Sequence, residues 1–473
     1  MSVDKINVEE SIQEVKALMG KEGVSPAMKS AINVILLLVQ ILINRLGLDS
    51  KNSSKPPSSD QNREKKKRAS TGKKPGGQNG HIGKTLEQVE TPDEVEVIPV
   101  DRTKLPEGEY TTAGYEARQV FDVDISVIVK EYRAEILKDK KGNRFVAKFP
   151  DGVTSPVQYG NGVKAQSVYL SQYQLLPYNR VEEYFSEQIG LPVSVGTINN
   201  FNQRSYELLE SFESSLKREL IKSKMLHADE TGINIEGKRC WLHVNSNTMW
   251  TYLYPHKKRG REAMNEMGVL PYYRGNLCHD HWKPYYGYEE IIHDLCNAHH
   301  LRELERVWEQ DKQRWGKTMI DFLLALNLDV VNAGGILSEE ESQKKRAKYR
   351  EILQEAEKEC PPPIAQPEGT KKRGRQKRST ARNLLERLQN YEDDTLRFMV
   401  DKEVPFSNNL GERDIRMTKV QQKISGCFRS YEGAKTFCRI RSYLASARKQ
   451  NIPASVALQS LFDGTDIFAK VWT

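Results

Sequence analysis

The sequence predicts a multidomain α+β protein, and three observations carry that reading. At roughly 100–200 residues per domain, the 473 residues call for two to four domains. Stretches of period-two alternation are set apart from stretches of helical period, so strands and helices fall in separate units. The charge is also uneven: residues 51–84 carry ten basic side chains against two acidic ones, a net of +8 that equals the formal charge of the whole chain. A chain neutral apart from one basic arm points to a polyanionic partner. The longest apolar run, 31–43, is interrupted by Asn33 and Gln40 and falls short of the roughly 20 residues of a membrane span. The first ten residues are acidic without an apolar core, so no secretory signal is expected. Six cysteines with no Cys-x-x-Cys pair argue against a disulfide framework and for a reducing cytoplasm.

Within a helical unit at 1–50, residues 26–48 read as one helix. Asn33, Gln40 and Asn44 share a stripe, and aliphatic residues cover most of the remaining circumference. Such a surface needs a partner, either a second copy of the chain or another part of the same molecule. Residues 51–92 read as a basic disordered linker, since Pro, Gly, Ser and like charges leave nothing to bury. Its Lys65, Lys66, Lys67, Arg68, Lys73 and Lys74 are candidate contacts to DNA phosphates. Alternation at 123–129 and a Lys-Gly-Asn turn at 141–143 predict a small β-rich unit over 93–160. Residues 161–222 turn helical. Helical spacing runs to Gly190, Pro192 breaks it, and Ser194 is positioned to cap a second helix from Val195. This is the helix-turn-helix pattern, either a major-groove reader or two packed helices.

From residue 225 the composition becomes strand-like at 225–229, 239–244 and 249–254. A short helix follows at 260–267, then strands at 275–280 and 290–295 and a helix from 298. Strand, strand, strand, helix, strand, helix, strand is the order of a ribonuclease-H-like α/β sheet, and this run is read as one. The core is expected over 223–449 with a helical insertion at about 305–400, and 450–473 reads as a C-terminal tail.

Three acids fall where such a sheet would need them for metal chemistry. If the first and fourth strands are adjacent and parallel, Asp229 and Asp280 emerge at one edge, and a late helix can deliver Glu412. Hard oxygen ligands suit Mg²⁺ or Mn²⁺, and two such ions stabilise both oxygens of a phosphoryl displacement. Among 64 acidic residues the spacing alone decides little, but the company does. Asn408, Glu412, Arg416, Lys419 and Lys423 lie on one helix face, with Arg413 beside them, and residues 412–449 hold ten basic side chains against three acidic ones. That face suits DNA phosphates flanking a metal. Cys278, His279, His281, His293, Cys296, His299 and His300 crowd into 23 residues. They read either as a zinc site or as buried cysteines with His299 and Arg302 at the rim of the acidic site. Residues 371–382 hold seven basic side chains and no acid. Arg373 and Arg375 there are candidate DNA contacts, nonspecific to phosphate or along a minor groove.

The motifs Lys73-Lys-Pro-Gly-Gly-Gln-Asn-Gly-His81, His227-Ala-Asp-Glu-Thr231, Asp280-His-Trp-Lys-Pro-Tyr285, Cys296-Asn-Ala-His-His-Leu-Arg302 and Asn408-Asn-Leu-Gly-Glu-Arg-Asp-Ile-Arg416 together resemble those of the insertion-sequence sixty-six transposases. These are members of the DDE superfamily. The resemblance implies that Asp229, Asp280 and Glu412 bind two Mg²⁺ or Mn²⁺ ions, supported by Trp282, His299, Arg302 and Asn408. It implies hydrolysis of a phosphodiester at the ends of a mobile element and transfer of the freed 3′-hydroxyl into target DNA. Double-stranded DNA as partner, a homo-oligomer, and a bacterial cytoplasm with nucleoid association follow from it. The chain departs from the family pattern in one place. Residues 93–160 contain no cysteine, so no N-terminal zinc is expected. The alternative reading is a DNA-binding repressor or structural factor without catalysis, and a third is a nuclease on the same core.

Overall fold

The computed structural model describes residues 2–3, 6–19, 25–46, 86–363 and 378–472. The basic arm with Lys65, Lys66, Lys67, Arg68, Lys73 and Lys74, and the cluster with Arg373 and Arg375, lie outside the described residues. A small antiparallel pair, β1 (Ser2–Val3) and β2 (Ile6–Asn7), leads into α1 (Val8–Met19) and α2 (Pro26–Leu46). The helix expected at 26–48 is present as α2. It starts with Pro26 at the first helical position, where a missing N–H costs nothing. Its Val34, Ile35, Leu37, Leu38 and Leu42 are all exposed.

Residues 86–160 depart from the expected β-rich unit. Among the described residues, the strands there are β3 (Ile136–Lys138) and β4 (Arg144–Val146), an antiparallel hairpin with every side chain exposed. The turn falls where the sequence puts it, with Gly142 at φ +85° and Asp139 Oδ1 accepting the Asn143 N–H at 2.9 Å. The alternating stretch 123–129 joins no sheet, and Val123, Ile128 and Val129 are exposed. Alternation gives a strand an apolar face, but a sheet also needs a second layer to cover that face. Among the described residues none packs here.

The helices α3 (Asn161–Val168), α4 (Tyr178–Tyr184), α5 (Val195–Leu208) and α6 (Glu210–Lys222) follow. Gly190 at φ +71° stops the α4 segment, and Ser194 Oγ accepts the Thr197 N–H at 3.2 Å to start α5. Val181, Phe185, Val193 and Ile198 make a small core between these two helices.

One five-stranded sheet organises the rest. Its strands are β5 (Met225–Ile235), β6 (Lys238–Ser246), β7 (Thr251–His256), β8 (Asn276–His279) and β9 (Ile292–Leu295), with α7 (Arg261–Met267) between β7 and β8. The spatial order is β7-β6-β5-β8-β9. β5, β6 and β7 form an antiparallel meander, and β8 and β9 add parallel to β5. β5 is longer than the expected 225–229. Thr231, Ile233 and Ile235 continue the alternation, and Glu236 and Gly237, at φ +53° and +72°, turn the chain straight onto β6.

Between the sheet and the last helices lies a helical unit: α8 (Asn297–Glu309), α9 (Arg314–Asn332), α10 (Glu339–Glu359), α11 (Thr380–Asn390) and α12 (Glu392–Leu396). It has its own apolar core, with Trp315, Leu323, Tyr349 and Leu384 at its centre. The helical stretch expected over 408–448 is two helices, because Gly426 at φ +74° ends α13 (Asn409–Ser425) before α14 (Tyr431–Lys449) begins. α14 covers the open edge of the sheet. Its Ser442 and Ser446 hydroxyls, one turn apart, accept the Leu253 and Thr251 N–H groups of β7 at 2.9 and 3.1 Å. The expected C-terminal tail is a packed element. α15 (Ala454–Phe462) lies against α3, where Asn161 Nδ2 donates to the Phe462 carbonyl, and Phe468 is fully buried beside Phe212 and Trp250. Aromatic bulk at 468 and 472 closes the core that α6, α14 and β7 leave open.

Candidate active site

The two faces of β5 have different neighbours. Leu226 and Ala228 pack with Leu216 and Leu220 of α6 and Met264 of α7, whereas Ile233 packs with Leu242, Val244 and Ile415 of α13. Side chains alternate along a strand, so Asp229 shares the α13 face with Ile233, and Glu230 points to the other side.

The parallel register sets Leu226 opposite Leu277 and His227 opposite Cys278. Continued by two residues, it brings Asp229 level with Asp280, the first residue beyond β8. Asp229 thus sits inside β5 and not at its end. Each aspartate is oriented by its own backbone: Asp229 Oδ1 accepts the Glu230 N–H at 2.8 Å, and Asp280 Oδ1 accepts the Trp282 N–H at 3.0 Å. Burial first, then the charges of Glu230 and Asp280, and after these Glu412, push the Asp229 carboxyl well above the usual carboxylate range. Asp229 therefore feels the charges of both other expected ligands.

Glu412 lies in the first turn of α13, which Asn408 fixes in place. The Asn408 amide oxygen bonds His227 Nδ1 at 2.8 Å, its Nδ2 donates to the Ala228 carbonyl at 2.7 Å, and its own N–H donates to Cys296 Sγ at 3.1 Å. One buried side chain ties the start of the helix to the strand immediately before Asp229. The Asn-to-Glu spacing of one helical turn then brings Glu412 over the Asp229 face. Glu412 Oε2 stands 3.7 Å from Arg302 Nη2, and Oε1 stands 3.7 Å from His299 Nδ1. Ligand atoms of Cys296, His299 and Glu412 lie within 4.8 Å of one another, a closeness that the set Asp229, Asp280 and Glu412 does not reach among the described residues. Asp229 and Asp280 stand on neighbouring strands, and Glu412 lies beside His299 and Cys296.

Of the expected supporting residues, Trp282 lies over the Arg259 guanidinium at 4.3 Å, with Trp241 at 4.9 Å from the same group. Arg259 donates to Glu230 Oε1 through Nε at 3.0 Å and Nη2 at 2.5 Å, and the Tyr285 hydroxyl donates to Glu230 Oε2 at 2.6 Å. Sequence reading gave no role to Arg259, whose local pattern is that of a surface residue, and met Tyr285 only as the last residue of the Asp280–Tyr285 motif, without a role of its own. It also missed the largely buried Asp414, which pairs with Lys449 at 2.7 Å and accepts from Thr251 Oγ1 at 3.0 Å, joining α13 to α14 and β7. Asp414 stands inside the Asn408–Arg416 motif, but its pairing with a cation 35 residues away shows only in the fold.

The basic face of α13 is only partly as expected. Arg413, Arg416 and Lys423 are exposed, with no acidic partner within 4.0 Å among the described residues. Lys419 is turned inward and donates to the Gly232 carbonyl at 2.5 Å, because packing of α13 on β5 offers it an acceptor. Arg413 and Arg416 line a groove of about 770 Å³ together with Lys224, Asn247, Thr248 and Glu412. In the cysteine and histidine cluster, His279 and His293 bond each other at 3.1 Å, and His300 bonds Asn297 at 3.1 Å. Burial holds His279 and His293 below the ordinary imidazole range, His293 at about 4. Cys278 is fully buried. Among the described residues, the cluster members that join a ligand group are Cys296 and His299.

No helix among the described residues is long and apolar enough to cross a membrane. Residues 2–87 match a family of unknown function (DUF6444). No curated protein matches the chain. Residues 156–436, which contain the whole sheet, the helical unit and all three acids, match the family described as Transposase IS66 family. That match spans more than half of the chain, and the chain belongs to this family of transposases, for which DNA is the substrate.

Proposed function

We propose that the chain is a DDE transposase in which Asp229, Asp280 and Glu412 hold Mg²⁺ or Mn²⁺, two ions at a time, on a ribonuclease-H-like core. The observation that supports this reading is the parallel register of β5 and β8, which, continued by two residues, brings Asp229 on the α13 side of β5 level with Asp280. The strand order supports the core assignment, with β6 alone reversed relative to β5. The donor set fits hard cations. Each aspartate keeps Oδ2 free of hydrogen bonds among the described residues, and Glu412 Oε1 is buried with no hydrogen-bond partner. Ions bound there would lower the charge barrier to attack on a phosphodiester by water or a 3′-hydroxyl.

The chain's own residues supply position. Asn408 holds the α13 turn against β5, and the backbone N–H groups of Glu230 and Trp282 orient the two aspartates. Arg302, Arg413 and Arg416 stand where a DNA strand entering the groove would place its phosphates. The basic arm, the helix-turn-helix of α4 and α5, and the 371–382 cluster extend that contact. Cleavage at an element end frees a 3′-hydroxyl, and the same acids then serve its transfer into target DNA, with no covalent protein intermediate. Two ends must meet, so we assign oligomerisation to the exposed apolar surface of α2 and the place of action to the bacterial nucleoid.

Purified full-length protein with Mg²⁺ and DNA carrying the element ends is expected to nick at the ends and to join them to a second DNA. Asp229→Asn, Asp280→Asn and Glu412→Gln are expected to bind that DNA and leave it intact. Normal cutting by any of the three would remove that residue from the assignment, and cleavage without joined products would favour a nuclease.

A further inference from the structure

We propose that Cys296, His299 and Glu412 form a second metal site of a different kind, selective for a thiophilic divalent cation of the zinc class. The three side chains come from two elements. Cys296 precedes α8, His299 lies in the first turn of α8, and Glu412 lies in the first turn of α13, so a Cys-x-x-His spacing supplies two ligands and the fold brings the third. One ligand atom from each lies within 4.8 Å of the other two.

The distances suit a shared ion better than direct contact. His299 Nδ1 and Glu412 Oε1 are 3.7 Å apart, too far for a hydrogen bond. Two ligands of one tetrahedral zinc, each bonded at about 2.0–2.2 Å, stand roughly 3.4 Å apart. Both atoms are buried, and neither has a hydrogen-bond partner. A buried donor or acceptor left unmade costs about 1–3 kcal/mol, so two facing each other unbonded are a feature to be explained. A cation between them satisfies both. Cys296 Sγ completes the set and is held in place by the Asn408 N–H, which donates to it at 3.1 Å.

The donor chemistry separates this site from the carboxylate site. Magnesium and calcium take oxygen ligands, while thiolate with imidazole selects zinc and its neighbours. Three protein ligands leave a fourth position for water or another group. Glu412 belongs to both sets, so a zinc ion here draws it from the magnesium set. Zinc would then compete with Mg²⁺-dependent cleavage, a consequence that rests on the transposase reading, whereas the binding itself does not.

Cobalt(II) added to the metal-stripped full-length protein is the test. We expect one equivalent to give a thiolate-to-cobalt charge-transfer band with the intense visible bands of four-coordinate cobalt, and one equivalent of zinc to abolish them. Cys296→Ser, which keeps an acceptor for the Asn408 N–H, should remove the charge-transfer band, and His299→Gln should weaken binding at least about tenfold. Cys427→Ser, which removes the exposed cysteine, should leave the band unchanged. Thermal melts of each variant establish that it is folded. No band in the wild type, or a band that survives Cys296→Ser, overturns the proposal. A band that behaves as expected in a protein that nicks no DNA leaves the zinc site standing and removes the transposase reading.

Discussion

Asp229 and Glu230 are adjacent acids with opposite fates. Glu230 points to one side of β5, where Arg259 grips one oxygen and the Tyr285 hydroxyl donates to the other. Asp229 points to the other side, where its only hydrogen bond among the described residues is from the Glu230 N–H and its charged neighbours include Asp280 and Glu412. Burial and then the charge of Asp280 raise Glu230, and burial followed by the charges of Glu230, Asp280 and Glu412 raises Asp229. The Tyr285 and Arg259 contacts pull Glu230 part of the way back, while among the described residues Asp229 has no such cationic partner in its hydrogen bonds. A buried charge that is fully partnered holds structure together, and one surrounded by like charges destabilises the free protein and awaits a cation. The alternation of a strand put the two kinds one residue apart.

Removing each charge in turn should expose that difference. The largest effect is expected from Asp229→Asn. Mg²⁺-dependent nicking should fall by at least about 10²–10³-fold, while the metal-free protein melts no lower than the wild type. Glu230→Gln should do the reverse. It removes the charged partner of Arg259 and costs about 1.5–3 kcal/mol in denaturant unfolding. The loss stays in that range because Arg259, 38% exposed, can turn to water. An equal stability loss in both variants would erase the distinction.

Next in size is a pH effect. The folded carboxyl of Asp229 lies above its unfolded value, so the folded state holds the extra proton, and stability must fall as pH rises through that interval. From about pH 4 upward, the metal-free wild type should therefore lose stability relative to Asp229→Asn, by at most about 1.4 kcal/mol for each pH unit crossed. Mg²⁺ should restore it. Melting both proteins across pH with and without the ion checks the sign. The smallest effect belongs to charges that neither pair nor bind metal: Arg416→Ala should weaken DNA binding uniformly across sequences and lower the salt slope by about 0.9.

Much of the core was legible because it is local. Strand-like composition marked all five strands of the main sheet, Gly190 and Ser194 marked the turn into α5, and Pro26 marked the start of α2. The 123–129 alternation misled, since a strand pattern says nothing about whether a second layer exists to cover it. The 450–473 tail misled for the converse reason: Phe468 and Trp472 are ordinary in sequence and gain their role only from Phe212 and Trp250, more than 200 residues earlier. Lys419 read as a phosphate contact because its i+7 place matched Glu412, but an acceptor at Gly232 turned it inward.

The sequence by itself determined the candidate acids, the order of strands and helices, and the family, because residue type, period and motif spacing are properties of neighbours along the chain. Only the tertiary structure decided which side of β5 each acid faces, that Asn408 is a buried clamp more than a surface contact, and that Glu412 meets His299 and Cys296. Those outcomes depend on strand register and on how α13 lies across the sheet. A shift of one residue in pairing would exchange the faces of Asp229 and Glu230 while leaving the sequence unaltered.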